Sequence, residues 1–215
     1  MAGIVYQILW GLGYLAYEKK MHRDIKPANI LINEQGFVKL SDFGISKDFE
    51  YSEEMASFRY MSPERLRGED YDISSDLWSL GIMIIQLFNK HYPFEDCAVN
   101  PLELHEELVA ENFMRNLRKF LQSMSKPMQH FVKCMVGVDK DSRSTIDNLL
   151  QHQWLALNGV HDLMSSRYVV GNWLSEIEFT SIDDFADLEN TYRSEDATIN
   201  LQQFRVDGED FEVSD

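Results

Sequence analysis

Eight consecutive residues, His22-Arg23-Asp24-Ile25-Lys26-Pro27-Ala28-Asn29, carry a carboxylate, an ammonium two positions on and an amide five positions on. Those are the tools that transfer of a phosphoryl group needs. A carboxylate orients the attacking hydroxyl and accepts its proton, a cation neutralises charge on the moving group, and a side-chain oxygen holds Mg²⁺. Asp42-Phe43-Gly44 begins thirteen residues after Asn29 and offers a second metal carboxylate beside a flexible glycine. Between them lie two short apolar runs, Ile30-Leu31-Ile32 and Phe37-Val38-Lys39-Leu40, joined by Asn33-Glu34-Gln35-Gly36. That pattern predicts a hairpin, which would return Asp42 to Asn29.

Something must deliver the chain to this site. The first 17 residues carry no charge, and Ile4, Ile8, Leu12 and Leu15 recur at helical spacing. The spacing predicts a buried helix over 2–20. A signal sequence or anchor is the rival reading. It would want a basic leading region, which is missing, and Gln7 and three glycines interrupt the stretch. The apolar run from Gly81 to Phe88 is too short to span a bilayer.

Length and charge narrow the function classes. The chain has 215 residues, 44% of them hydrophobic, enough for one or two globular domains. Its net charge of -16 argues against nucleic acid or an acidic membrane surface as partner, since both attract a basic face. Residues 158–215 hold 14 Asp and Glu against 3 Lys and Arg. Cys97 and Cys134 form neither a disulfide framework nor a metal-binding spacing, as expected of reduced thiols in a cytoplasmic protein. His105, His130 and His152 read as surface or packing residues, because no acidic or thiol partner keeps metal spacing with them.

H-R-D-x-K-x-x-N followed by D-F-G, with Ser62-Pro63-Glu64 beyond, resembles the catalytic-loop and metal-loop pair of the eukaryotic protein kinases. Ile45-Ser46 after the glycine and Met61-Ser62-Pro63-Glu64 resemble the MAP kinase kinases in particular. The resemblance covers residues 1–157. It implies a mainly α large lobe with a small β-hairpin, followed by an acidic extension over 158–215 that is partly ordered or disordered. The chain begins about where a kinase's small lobe should have ended. It contains no G-x-G-x-x-G turn and no V-A-I-K-like strand, the parts that cover ATP and align its phosphates.

By resemblance, Asp24 is the catalytic base and Lys26 touches the γ-phosphate of ATP. Asn29 and Asp42 hold magnesium, His22 and Phe43 pack the site, and Arg23 receives an activation-segment phosphate. Leu31 would lie beneath the adenine, although an ordinary strand core position explains it as well. Ser52 and Ser57 fall close to the family's regulatory phosphoacceptors. A phosphate there would pair with Arg23 and order the segment. Asp76, in Ser74-Ser75-Asp76-Leu77-Trp78-Ser79, would accept backbone N–H groups of the catalytic loop, with Ser74 or Ser75 capping the helix that follows. Glu64 would pair with Arg143. Further helices are expected at about 101–111, from Pro127 and at about 145–152.

One departure bears on substrate. The family usually reads S-F-V-G-T-x-x-Y-M, and this chain reads Ser57-Phe58-Arg59-Tyr60-Met61. Four residues are missing, among them the threonine that bridges the catalytic Asp and Lys. A residue spans at most about 3.5 Å, so the loss must shift the anchors of the loop. The expected function is Mg-ATP-dependent phosphorylation of Ser, Thr or Tyr in a protein substrate, a MAP kinase, under control of an upstream kinase. The alternative is a catalytically inactive lobe that binds a kinase or scaffold partner.

Overall fold

The computed structural model describes residues 1–42, 58–94, 101–109, 113–176 and 198–200. Helix α1 runs Ala2–Tyr17 and buries Ile4, Val5, Ile8, Leu9, Leu12 and Leu15. It stops three residues short of the expected end. Lys19 takes a positive φ of 55°, and Lys20 N donates to Leu15 O at 2.8 Å, a left-handed termination that satisfies the last carbonyls. Strands β1 (Ile30–Asn33) and β2 (Val38–Leu40) pair antiparallel, Ile30 opposite Leu40 and Ile32 opposite Val38, as the apolar runs predict.

The second central element is α3 (Ser74–Asn89), reached through the four-residue helix α2 (Pro63–Leu66). Leu77 to Ile85 are buried without a break, so α3 is enclosed on every side through its middle. Neither Ser74 nor Ser75 caps it, contrary to expectation. Asp72 does so, its Oδ1 accepting from Ser74 N at 2.8 Å, while the Ser75 hydroxyl turns inward to Glu64. The buried Glu64 carboxylate draws the Ser75 hydroxyl away from the helix start. Helix α4 (Pro101–Val109) packs on α2 and on α5 (Phe113–Leu121), and α5 and α6 (Lys126–Lys133) pack on α3. Trp78 stacks on Phe113 with ring centroids 5.6 Å apart. Helices α7 (Ile146–Leu150) and α8 (Gln153–Leu157) close the base of the lobe.

Beyond residue 157 the chain forms α9 (Leu163–Glu176), which lies along α1. A Cβ on Gly3 would stand 2.5 Å from Ser166 O, so glycine lets the two backbones approach. Arg167 reaches from α9 to the hairpin turn, donating to Gln35 O at 2.9 Å and covering the Phe37 ring at 4.1 Å. A third strand, β3 (Thr198–Asn200), pairs antiparallel with the outer edge of β1 and makes the sheet order β2-β1-β3. Nothing in the sequence of three polar-flanked residues foretold it, because edge pairing depends on a distant partner. Among the described residues no helix is long and apolar enough to cross a membrane.

Gln7, the polar residue inside the uncharged stretch, fixes the hairpin to α1. Its Nε2 donates to Gly36 O and its Oε1 accepts from Val38 N, each at 2.9 Å. Gln7→Leu would keep the volume and strand both backbone groups. A loss of about 1–3 kcal/mol for a buried unpaired group is the expected scale, read as a lowered denaturant midpoint. A midpoint equal to wild type would mean that the clamp contributes nothing.

Candidate functional site

The catalytic-loop motif runs extended between α1 and β1 and gains no support from regular structure until Pro27–Asn29 make one 3₁₀ turn. Its backbone is instead held from below. Asp76, in the first turn of α3, accepts from His22 N through Oδ2 and from Arg23 N through Oδ1, each at 2.8 Å. Burial holds the Asp76 carboxyl above its ordinary range, and those two N–H groups offset only part of that rise. Arg23 has a φ of 72° and Asp42 a φ of 54°. Left-handed backbone at non-glycine residues costs of order 1 kcal/mol each and persists only where the surroundings impose it. Asp76→Asn would put an amide N–H₂ against one of the two backbone donors. A loss of about 1–3 kcal/mol is expected, with faster amide exchange at His22 and Arg23 by NMR. Unchanged exchange would show that the loop holds itself.

Above that support three polar groups converge. Asp24 Oδ2 accepts from Lys26 Nζ and from Asn29 Nδ2, each at 2.9 Å, and Asn29 Nδ2 also reaches Asp24 O at 2.7 Å. Asp24 and Lys26 side chains are each only 15% exposed. The Asn29 amide nitrogen is turned to Asp24, which leaves its oxygen on the opposite side. Return of the hairpin brings Ser41 N to Asn29 O at 3.0 Å, with Asp42 the next residue. Ser41 O in turn faces His22 Nε2 at 2.9 Å. Burial holds the His22 imidazole below its ordinary range, against the pull of Asp76, the Ser41 carbonyl, Asp24 and Asp42. A neutral ring then donates from Nε2 to Ser41 and ties the two loops together.

An amide oxygen and a carboxylate are hard donors of the kind Mg²⁺ takes when it keeps several waters and shares phosphate oxygens. The donor set offered by Asn29 and Asp42 therefore fits magnesium. Leu31 is half-buried, on the opposite face of β1 from the core residues Ile30 and Ile32. It is not the ordinary core residue that the strand pattern equally allowed.

Several supports were invisible in the motif. Arg65 Nη1 donates to Arg23 O at 2.8 Å, and both guanidiniums lie over the Tyr71 ring, at 5.3 and 6.0 Å. Ser79 Oγ donates to Tyr60 O at 2.7 Å, Tyr60 bonds Gln86, and Tyr92 donates to Arg59 O at 2.6 Å. These hold the 58–62 stretch against α3. Burial pushes the Tyr60 phenol up to about 12, so it stays a donor. Beneath α2, Arg143 Nη1 and Nη2 donate to Glu64 Oε1 and Oε2 at 2.7 and 2.8 Å, and Ser75 adds a bond at 2.6 Å. Phe43, Ser52 and Ser57 lie outside the described residues.

The chain matches the protein kinase domain over residues 1–155, and it belongs to that family. Among its relatives within the family are MAP kinase kinases. It is 36% identical to the MAP kinase kinase skh1/pek1 of Schizosaccharomyces pombe over 74% of this chain and 46% of the relative. It is 37% identical to MKK1/SSP32 of Saccharomyces cerevisiae over 71% and 32%. With mitogen-activated protein kinase kinase 7 of Arabidopsis thaliana the identity is 36% over 72% and 53%. The chain thus spans about a third to a half of the length of these relatives.

Proposed function

We propose that the protein transfers the γ-phosphate of ATP to hydroxyl groups of a MAP kinase, as a cytoplasmic step of a signalling cascade. The observation that carries this reading is the bonded set Asp24–Lys26–Asn29 on a backbone held by Asp76. Asp24 orients the acceptor hydroxyl and takes its proton. Lys26 lies against the γ-phosphate and offsets charge as the bond to the leaving oxygen lengthens. Asn29 and Asp42 would hold Mg²⁺, which would supply positive charge to neutralise the phosphates. Leu31 forms the floor under the adenine. Arg23, with Arg65 beside it, receives the phosphate that an upstream kinase places on Ser52 or Ser57. The names of the relatives support the choice of substrate.

A second reading has one observation in its favour. The activation segment is four residues shorter than the family pattern and lacks the bridging threonine. On that reading the lobe binds a kinase or scaffold without catalysis. Native protein, immunopurified through residues 158–215, is to be incubated with Mg-ATP and an unphosphorylated MAP kinase. Phosphate on the MAP kinase activation segment is expected. Stable binding of the MAP kinase with no transfer would favour the second reading.

A further inference from the structure

From the sequence His130 and His152 are expected to be surface or packing residues and Cys134 a reduced thiol without metal spacing, yet the fold brings the three together, apart from the residues of the phosphoryl-transfer motifs. His130 lies on α6, Cys134 caps its end, and His152 is the residue that caps α8. One ligand atom from each lies within 4.8 Å of the other two. His130 Nδ1 and His152 Nε2 are 2.8 Å apart, and Cys134 Sγ is 3.7 Å from His130 Nδ1. We propose that these three side chains bind Zn²⁺, with the fourth position left to water.

The geometry is close to what the ion requires. Zinc bonds of about 2.0 Å to nitrogen and 2.3 Å to sulfur in a tetrahedron put neighbouring nitrogens about 3.3 Å apart and nitrogen and sulfur about 3.5 Å apart. The two separations from His130 Nδ1 differ from these by half an ångström or less, and all three ligand atoms lie within 4.8 Å of one another. His130 is exposed, so its ring can swing by that amount and the ion can enter from solvent. The His152 ring is steadied by Phe131 at 5.0 Å. Two imidazoles and a thiol are borderline-soft donors that suit zinc and do not suit magnesium. The site would not compete for the ion that ATP brings.

The proton balance follows from the hydrogen bonds. His152 Nδ1 accepts from Trp154 N at 3.1 Å, so the ring proton sits on Nε2 and points at His130 Nδ1. Zinc forms one bond to sulfur and two to nitrogen and releases the thiol proton. The His152 proton moves from Nε2 to Nδ1, which ends the cap on Trp154 N–H. The His152–His130 and Trp154–His152 hydrogen bonds and the Cys134–His130 contact are exchanged for three metal bonds, and the ion then clips α6 to α8 at the base of the lobe.

The test uses the reduced 215-residue protein and Co²⁺ as a spectroscopic probe. Wild type and Cys97→Ser should show a thiolate-to-cobalt charge-transfer band, and Cys134→Ser and His130→Gln should lose it. In competition with a chromophoric chelator, either of the latter variants should weaken zinc binding at least about tenfold, since even changes outside the ligand set cost that much. Zinc should raise the thermal midpoint of wild type and leave that of Cys134→Ser unchanged. A missing band in wild type overturns the proposal. So does a band that survives in Cys134→Ser, or zinc affinity unaltered in His130→Gln. Should Cys134→Ser fold poorly, the exposed His130→Gln carries the test by itself.

Discussion

Asp24→Asn is expected to cut phosphate transfer by about 10²–10⁴-fold, the scale of a positioned general base, with the fold left intact. The side chain is partly open to solvent, and its role in the framework is limited to the bonds with Lys26 and Asn29. Asparagine matches its shape but accepts no proton from a hydroxyl. Lys26 and Asn29 both donate to Oδ2, so the asparagine carbonyl can take that place and keep both bonds. The loss should therefore appear in the rate of the chemical step with little change in the affinity for ATP, whose phosphates are held by other groups. Single-turnover transfer by native protein carrying the substitution measures this. Equal rates in wild type and variant would remove Asp24 from the reaction and with it the catalytic reading.

The largest expected effect on stability is at Arg143. Its guanidinium is fully enclosed and donates to both oxygens of Glu64, to Gly137 O and to Ser74 O, with the Trp78 ring 5.1 Å away. Arg143→Ala would leave the Glu64 carboxylate buried without its counter-ion, which costs about 3–5 kcal/mol. Replacing both residues by apolar ones of similar size should cost less than removing Arg143 alone. The pH dependence gives an independent check. Burial pushes the Glu64 carboxyl up, but bonds from Arg143, Ser75 and Ser62 outweigh it and hold the group at about 2 against an ordinary 4.5. A carboxyl depressed in the fold contributes stability above its unfolded value, and loses it as pH falls from 4.5 through about 2. A shift of that size is worth roughly 3 kcal/mol at neutral pH. Urea midpoints of wild type and Arg143→Ala should thus lie far apart at pH 7 and converge below pH 4.5. A gap independent of pH would mean that Arg143 acts through packing alone.

The two substitutions probe different kinds of information in the chain. The convergence of Asp24, Lys26 and Asn29, with Asp42 returned close by, was legible because the motif is short and a hairpin of apolar runs brings the second stretch back to it. Helices α1 and α3 were legible because continuous burial leaves an unmistakable run of uncharged residues. Asp76 and Glu64 were legible through their place in longer motifs. The family of protein kinases follows from those stretches, and the match over residues 1–155 agrees with them.

Other features depend on partners that no local pattern names. Gln7 read as an interruption in an apolar helix, and only its placement beside Gly36 and Val38 makes it the clamp of the hairpin. Asp72 took the cap of α3 because Ser75 was drawn to a buried carboxylate 11 residues earlier. Arg65 met Arg23 across 42 residues, and β3 found the edge of β1 from the far end of the chain. His130 and Cys134 share a helical turn, but His152 joins them only because α8 packs on α6. Sequence spacing determines what one turn or one strand can bring together. Contacts between elements are set by how buried surfaces fit, and that is decided only when the whole core closes.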